Sequence, residues 1–252
     1  MQYPGKVLCR NLNLTVNSGE CWAILGQNGC GKTTLIHTLG GLRRADNENE
    51  SSITVAEKAP QIWARRDLAR YLGIMLQEEP GEFWGSVYEY VLLGRYPYLK
   101  GIFGWEAADQ DIAVRAIERM KLTSLAHRPL VTLSGGERQR ARIALLLTQS
   151  PQCYLLDEPL QHLDLRHQLL AMALFSELAR QGRTLVIVLH DIGWVSRFCD
   201  HVLMLFDDGH VIAGTAEETI NRPNLEALYQ CSMEEFVVGR ARHFVPETMP
   251  GV

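Results

Sequence analysis

The chain has 252 residues, of which 46% are hydrophobic and 21% charged, with a net charge of −4 and a pI near 6.1. This length can bury one core, and the acid excess provides no overall positive field that would recruit nucleic acid or anionic lipid. The cysteines are scattered without a CxxC pair, which argues against a disulfide framework and favours a reducing compartment. The longest apolar runs, 143–147 and 185–189, are far shorter than a membrane span, and the N-terminus lacks the apolar stretch of a signal peptide. We therefore expect a cytosolic chain.

A glycine-rich loop follows the first apolar run of the chain. Residues 21–25 (CWAIL) predict a buried strand, and KTTLIHTL after the loop predicts a helix that stops at Gly40-Gly41. Between them lies the complete pattern G-x-x-x-x-G-K-[ST], in which backbone N–H groups and a lysine converge on phosphate oxygens. An ordinary glycine turn before a helix is the weaker alternative. The residues that we expect to bind the phosphates are Gly26, Asn28, Gly29, Cys30, Gly31, Lys32, Thr33 and Thr34.

The middle of the chain changes from polar to helical. Residues 43–60 are polar and predict an exposed turn region with at most one strand, whereas 71–77 (YLGIMLQ) predict a second buried strand. From 79 to 150 the pattern is helical.

Two further strands and a hairpin follow. Residues 153–159 (CYLLDEP) and 184–191 (TLVIVLHD) are continuous apolar runs ending in charge, as buried parallel strands are. An amphipathic helix ending at Gly182 separates them, and 201–215 predict a hairpin that turns at Asp208-Gly209. This alternation predicts an α/β core with a helical insertion, followed by a C-terminal helix and tail over 226–252.

Two acids stand at the end of one predicted strand. In a parallel sheet, such a strand end lies beside the phosphate loop, where ligands gather. Asp157 is then placed to hold Mg²⁺ together with Thr33, and Glu158 to act as general base on an attacking water. Paired acids at a strand end can also be merely solvated, and it is the phosphate loop in the same chain that favours the catalytic interpretation.

The segment LSGGE at 133–137 opens another predicted helix. Ser134 and Glu137 have the S-x-x-E spacing of a capping box, which fixes the helix N-terminus without any ligand. A capped N-terminus with Gly135 and Gly136 at its mouth also presents N–H groups and a positive dipole, which suit a phosphate. Further along the same helix, Arg138, Arg140 and Arg142 could assist in binding that phosphate, but we expect them to form a solvated helix face instead.

Together, the phosphate loop and LSGGE resemble the nucleotide-binding subunit of ABC (ATP-binding cassette) proteins, with the family's motifs in order over about 3–240. The resemblance implies a P-loop NTPase fold of the ABC type: a mixed, mainly parallel sheet flanked by helices, an inserted α-helical subdomain and a small antiparallel β subdomain. It implies a core of 1–78 and 151–225 that includes the β subdomain, a helical subdomain of 79–150 and a C-terminal part of 226–252.

The resemblance also implies ATP and Mg²⁺ as ligands and a second copy of the chain as partner. In the family, the turn Ser134–Gly136 completes the ATP site of the opposite subunit. By position, Gln77 matches the Q-loop glutamine that touches Mg²⁺ and the attacking water, and His190 matches the switch histidine. Asp164 falls at the D-loop aspartate, although Leu160-Gln161-His162 departs from the common serine–alanine form. Tyr3 falls where an aromatic ring stacks on adenine. Only Met1 and Gln2 precede it where the family usually has a further strand, so either the edge of the β subdomain is shortened or the true start lies upstream.

Three segments, 87–101, 162–168 and 188–205, resemble the ATPases that energise bacterial uptake of ferric siderophores, haem and cobalamin. That resemblance implies permease subunits, a periplasmic or lipoprotein substrate-binding protein, and a location on the cytoplasmic face of the inner membrane. It implies no nucleic-acid partner. Three alternatives stay open: a DNA-repair or chromosome ATPase, an iron–sulfur assembly ATPase, and the ATPase of an exporter.

Overall fold

The computed structural model describes residues 2–3, 6–7, 9–10, 12–43, 52–77, 81–100, 104–239 and 241–247, with the backbone alone for 2, 3, 6, 7 and 241. Its strands are β1 (Gln2–Tyr3), β2 (Lys6–Val7), β3 (Cys21–Gly26), β4 (Leu72–Met75), β5 (Cys153–Asp157), β6 (Thr184–Val188), β7 (His201–Leu205), β8 (Val211–Thr215), β9 (Met233–Val238) and β10 (Ala241–Pro246). Its α-helices are α1 (Lys32–Leu39), α2 (Arg65–Tyr71), α3 (Val87–Leu92), α4 (Ala107–Arg119), α5 (Gly135–Gln149), α6 (Leu165–Arg180), α7 (Ile192–Phe198), α8 (Ala216–Thr219) and α9 (Arg222–Tyr229).

The centre of the molecule is a six-stranded sheet in the order β4-β5-β6-β3-β7-β8. All neighbouring pairs are parallel except β7 and β8, which form the predicted hairpin. The core strands are continuous apolar runs because helices cover both faces of the sheet. Strand β3 shows this directly: Cys21, Ala23 and Leu25 pack into one buried cluster, whereas Trp22 and Ile24 pack into the other. The predicted α/β fold is confirmed.

The helical insertion lies between β4 and β5 in the chain, where α3, α4 and α5 pack on one another. Its 3-10 segment, Leu93–Tyr98, is fixed by an ion pair of 2.8 Å between Arg95 Nε and Asp109 Oδ1. Each of these side chains is only 11% exposed, so neither charge tolerates loss of its partner. The insertion is therefore a packed unit rather than a loose loop.

The sequence prediction was incomplete after α9. After α9, residues that were predicted only as a tail form an antiparallel hairpin of β9 and β10. In the polar region 43–60, the described residues contain an isolated bridge between Val55 and Lys58 and the start of a 3-10 helix at Pro60, and 44–51 lie outside the described part. Among the residues that the structure describes, no helix combines the length and the apolar character that crossing a membrane requires.

Candidate active site

The strand order brings four predicted site segments to one edge of the sheet. Strands β4, β5, β6 and β3 are neighbours and run parallel, so their carboxyl ends open on the same side. A cavity of about 590 Å³ lies there, a volume suited to a nucleotide-sized ligand. It is lined by Asn28, Gly29, Gly31, Lys32, Thr33, Thr34, Gln77, Glu158, Gln161 and His190. The topology thus assembles residues that are far apart in sequence.

The phosphate loop has the conformation that its glycines permit. Gly31 caps α1 with φ 108°, a left-handed backbone conformation that would be strained in a residue with a side chain. Gly26 is needed for a different reason: a Cβ there would lie 2.5 Å from Cys30 Sγ and 2.7 Å from the Leu205 carbonyl oxygen. Cys30 itself is 1% exposed and belongs to the core beneath the loop. Its contribution to phosphate binding would come from its backbone alone.

Lys32 is a buried cation at the start of α1. Its ammonium donates to the carbonyl oxygens of Gly26 and Gln27, each at 2.9 Å. The C-terminal helix supports the same loop, because Gln27 Nε2 donates to the Leu228 carbonyl oxygen at 2.8 Å. A phosphate entering the cavity would meet a lysine already oriented by the loop.

Asp157 carries a buried carboxylate at the end of β5. It is 1% exposed, and neither oxygen has a hydrogen-bond partner within bonding geometry among the described residues. Burial raises the pKa of this carboxyl, although the nearby Thr33 hydroxyl opposes the shift. An orphaned carboxylate beside a threonine hydroxyl and the phosphate loop is an oxygen donor set of the kind that Mg²⁺ prefers. These residues fit the ion that the phosphate-binding loop implies.

We expect Asp157→Asn to stabilise the nucleotide-free protein at neutral pH. A folded-state pKa above the ordinary value of 3.8 means that stability present below pH 3.8 is lost as the pH rises through the folded value. The amide removes this cost, so its stabilisation relative to the wild type should be larger at pH 7 than near pH 4. Urea denaturation in EDTA at both pH values measures it, and an equal difference at the two would contradict the prediction. Mg²⁺-dependent hydrolysis should fall in the same variant.

Glu158 is held by two neighbours across the strand ends. His190 Nε2 lies 2.7 Å from Glu158 Oε1, and Gln77 Nε2 donates to Glu158 Oε2 at 3.3 Å. The backbone of Glu158 has φ 50°, a left-handed conformation that costs a non-glycine residue roughly 1–3 kcal/mol. Strain of this kind persists where the surrounding structure fixes it, and Glu158 lines the cavity. Glu158 therefore contacts both of the other predicted catalytic side chains.

The LSGGE turn lies away from this cavity in the same chain. Ser134 caps α5, with both bonds of the predicted capping box to Glu137 present. Gly135 is exposed, and a Cβ on Gly136 would lie 2.8 Å from the His162 carbonyl oxygen, so the turn packs closely on the segment after Glu158. No residue of Ser134–Gly136 lines the cavity. Within one chain, this turn is thus an exposed helix N-terminus that does not reach its own phosphate loop.

Asp164 and Tyr3 are the remaining predicted site residues, and the structure describes the side chain of Asp164 alone. Asp164 caps α6: its carboxylate accepts from the His167 N–H at 2.8 Å, and this hydrogen bond lowers its pKa. Asp164 does not line the cavity. Tyr3 lies in the short hairpin of β1 and β2, but its side chain is outside the described part, so its stacking role stays a prediction.

The prediction of a solvated arginine face on α5 was wrong for two of its three members. Arg140 is 8% exposed and donates to the carbonyl oxygens of Met120 and Lys121 at 2.8 Å, where it caps the end of α4. Arg142 is half-buried and donates to the Leu76 carbonyl oxygen, whereas Arg138 is exposed as predicted. Residues at i and i+2 lie about 200° apart around a helix, so the spacing already argues against one shared solvated face, but it does not reveal the receiving carbonyl groups, which come from distant segments. Gln161 in the cavity wall was also missed.

Comparison with known proteins identifies the family. A family model described as ABC transporter matches residues 9–161. The chain belongs to the ABC transporter ATP-binding family. As an ABC ATPase it binds and hydrolyses ATP, with Mg²⁺ as the usual partner ion, and it works with transmembrane permease subunits.

Relatives span most of this ABC ATPase. The ferric enterobactin transport ATP-binding protein FepC of Escherichia coli (strain K12) is 35% identical, over 90% of this chain and 83% of its own. The hemin import ATP-binding protein HmuV of Gloeobacter violaceus is 36% identical, over 86% and 80%. The iron(3+)-hydroxamate import ATP-binding protein FhuC of Bacillus subtilis (strain 168) is 32% identical, over 92% and 86%.

Solved structures match the fold. A metal-chelate type ABC transporter in an inward-facing conformation superposes with a TM-score of 0.78 at 29% identity, over 95% of this chain and 92% of that one. A dimeric ATP-binding cassette, MJ0796, bound to ADP and Pi gives 0.70 at 26% identity, over 83% and 90%. The ABC ATPase therefore has cassette relatives that form dimers.

Proposed function

We propose that this ABC ATPase powers the import of a metal chelate, such as a ferric siderophore, haem or cobalamin, through a bacterial permease. The observation that carries this proposal is the agreement of relatives whose names describe ferric enterobactin transport, hydroxamate import and hemin import, each aligned over most of both chains. The superposition on a metal-chelate type transporter supports the same class of cargo.

In the proposed mechanism, the phosphate loop and Lys32 hold the triphosphate, and Glu158 positions the attacking water and accepts its proton. His190 and Gln77, which contact the two oxygens of Glu158, orient that carboxylate and the water. Thr33, Asp157 and Gln77 would hold Mg²⁺, which when bound supplies positive charge beside the phosphate oxygens. In the structure each Glu158 oxygen has one such protein partner, which leaves acceptor capacity on the carboxylate for the attacking water.

Two copies of the chain would form the complete catalyst. The exposed turn at Ser134–Gly136 offers N–H groups that its own cavity does not use, and the positive end of α5 suits the γ-phosphate of a second copy. Asp164 would lie at the same seam. ATP then acts as a ligand that favours the closed dimer, and closure would move the permease.

The permease would contact the face formed by α2 and the 3-10 segment after α3. Arg66 and Arg70 both donate to the Pro97 carbonyl oxygen at 2.9 Å and join these two elements. Tyr96 on the 3-10 segment is 69% exposed, and Ile62 and Trp84, which come shortly before α2 and α3 in the chain, are 76% and 74% exposed. Patches of exposed apolar side chains mark protein contact sites, and we propose that these three belong to one. The subunit would lie on the cytoplasmic face of the inner membrane, and a periplasmic or lipoprotein binding protein would deliver the cargo from the other side.

Uptake into vesicles tests the proposal. The chain would be co-purified with the permease from its own gene neighbourhood and reconstituted with ATP inside the vesicles. ATP-dependent accumulation of one labelled chelate, tried in parallel with ferric siderophore, haem and cobalamin, is the expected result, and complexes carrying Glu158→Gln should not accumulate it. Release of cargo outward, or full ATPase activity from a chain that binds no membrane protein, would overturn it.

A further inference from the structure

Two side chains on α5, Gln139 and Arg142, join the ends of two neighbouring strands. Arg142 donates from Nη1 to Gln139 Oε1 at 2.8 Å and from Nη2 to the Leu76 carbonyl oxygen. Its Nη1 also lies 3.4 Å from the Gln77 carbonyl oxygen. Gln139 in turn donates from Nε2 to the Pro159 carbonyl oxygen at 2.9 Å. This Gln139–Arg142 pair therefore holds the backbone at Gln77 and the backbone immediately after Glu158.

These contacts hold backbone that lies beyond the last hydrogen bonds between the two strands. The ladder between β4 and β5 stops at Met75 and Leu156, so the backbone at Leu76 and Gln77 lies beyond it. Carbonyl groups near a buried edge require donors, and Arg142 supplies charged ones, which make stronger hydrogen bonds than neutral donors. Gln139 is 3% exposed, so it is fixed by packing as well as by its hydrogen bonds.

We infer that the Gln139–Arg142 pair is a positioning element that sets Gln77 against Glu158. The two catalytic side chains meet at 3.3 Å, and each is held through backbone that the pair contacts. The same helix begins at Ser134, in the turn assigned to the ATP of a second copy. Contact between the start of α5 and that ATP would thus be transmitted through the Gln139–Arg142 pair to Gln77 and Glu158 of the same chain. This inference rests on the roles proposed above for Gln77 and Glu158.

Arg142→Met removes the donors and keeps most of the apolar stem. Loss of a charged hydrogen-bond donor predicts a fall in kcat of roughly tenfold or more, whereas the Kd for ATP should stay within about twofold because the phosphate loop is untouched. Arg142→Lys, which retains a charged donor, should recover part of the rate. Arg119→Gln is the matched control: it removes an exposed arginine that pairs with Glu177 at 2.6 Å, and its kcat should be that of the wild type.

A double-mutant cycle separates positioning from a general structural role. Because Arg142 acts through Gln77, Arg142→Met should add little further loss in a Gln77→Ala background. An equal fold-loss of kcat in both backgrounds, or a wild-type kcat for Arg142→Met alone, would overturn the inference. If Gln77→Ala itself hydrolyses at the wild-type rate, the proposed role of Gln77 fails instead. Should Arg142→Met lose its cooperative thermal transition, the same cycle is run with Arg142→Lys.

Discussion

Replacing Glu158 by glutamine should lower the rate of ATP hydrolysis by about a hundredfold or more, the range that a positioned general base contributes. Glutamine keeps the size of the side chain and can still meet Gln77 and His190, but it no longer accepts the proton of the attacking water. ATP binding should persist because the phosphate loop is intact. The ATP-bound chains should therefore accumulate as a dimer.

Phosphate release and light scattering in the presence of ATP measure both effects. Glu118→Gln, on the exposed side of α4, removes a glutamate that does not line the cavity and should leave both unchanged. A wild-type rate for Glu158→Gln would reject Glu158 as the base. If the variant is slow but stays a monomer with ATP bound, Glu158 would still be the base, but the prediction of a trapped dimer would be wrong.

Replacing Lys32 by alanine should weaken ATP binding by roughly ten- to a hundredfold, because charge-assisted hydrogen bonds to phosphate are lost. The variant also loses the two bonds from Nζ to the carbonyl oxygens of Gly26 and Gln27. The loop should consequently be less ordered before ATP arrives, and hydrolysis should fall with binding.

Calorimetric titration with ATP is the direct measurement. Lys100→Ala is the control, since Lys100 is 83% exposed and pairs with Glu106 at 3.6 Å on the helical insertion. Unchanged affinity in Lys32→Ala would discredit the assignment of the phosphate loop. A matching loss in Lys100→Ala would show that the effect is not specific to the site.

The sequence was most informative where a residue follows a buried strand. Gln77, Glu158 and His190 were placed correctly at one edge because parallel strands end together, and this holds whatever the side-chain details. The capping box at Ser134 was also predictable, since its donors and acceptors are separated by only three residues along the chain. Local patterns and parallel topology thus account for the main features of the site.

What the sequence left undetermined depends on contacts between distant segments. The burial of Arg140 and the bonds of Arg142 require carbonyl groups from α4 and from the end of β4, which no spacing along α5 reveals. The C-terminal hairpin is a similar case, because its strands expose Phe236, Val237 and Val238 and show little alternation. The left-handed backbone of Glu158 is likewise set by tertiary structure, since glutamate has no preference for it.

The central claim is that each ATP site is built from two chains, and mixing two inactive variants tests it most directly. Lys32→Ala breaks the phosphate loop but keeps the Ser134 turn, and Ser134→Arg breaks the turn but keeps the phosphate loop. A dimer of either variant alone therefore has two defective sites and should be inactive. Random mixing makes half of the dimers mixed, each with one intact site, and should restore about a quarter of the wild-type rate of ATP hydrolysis. Wild-type hydrolysis by Ser134→Arg alone, at a concentration where it is a monomer, would contradict the account.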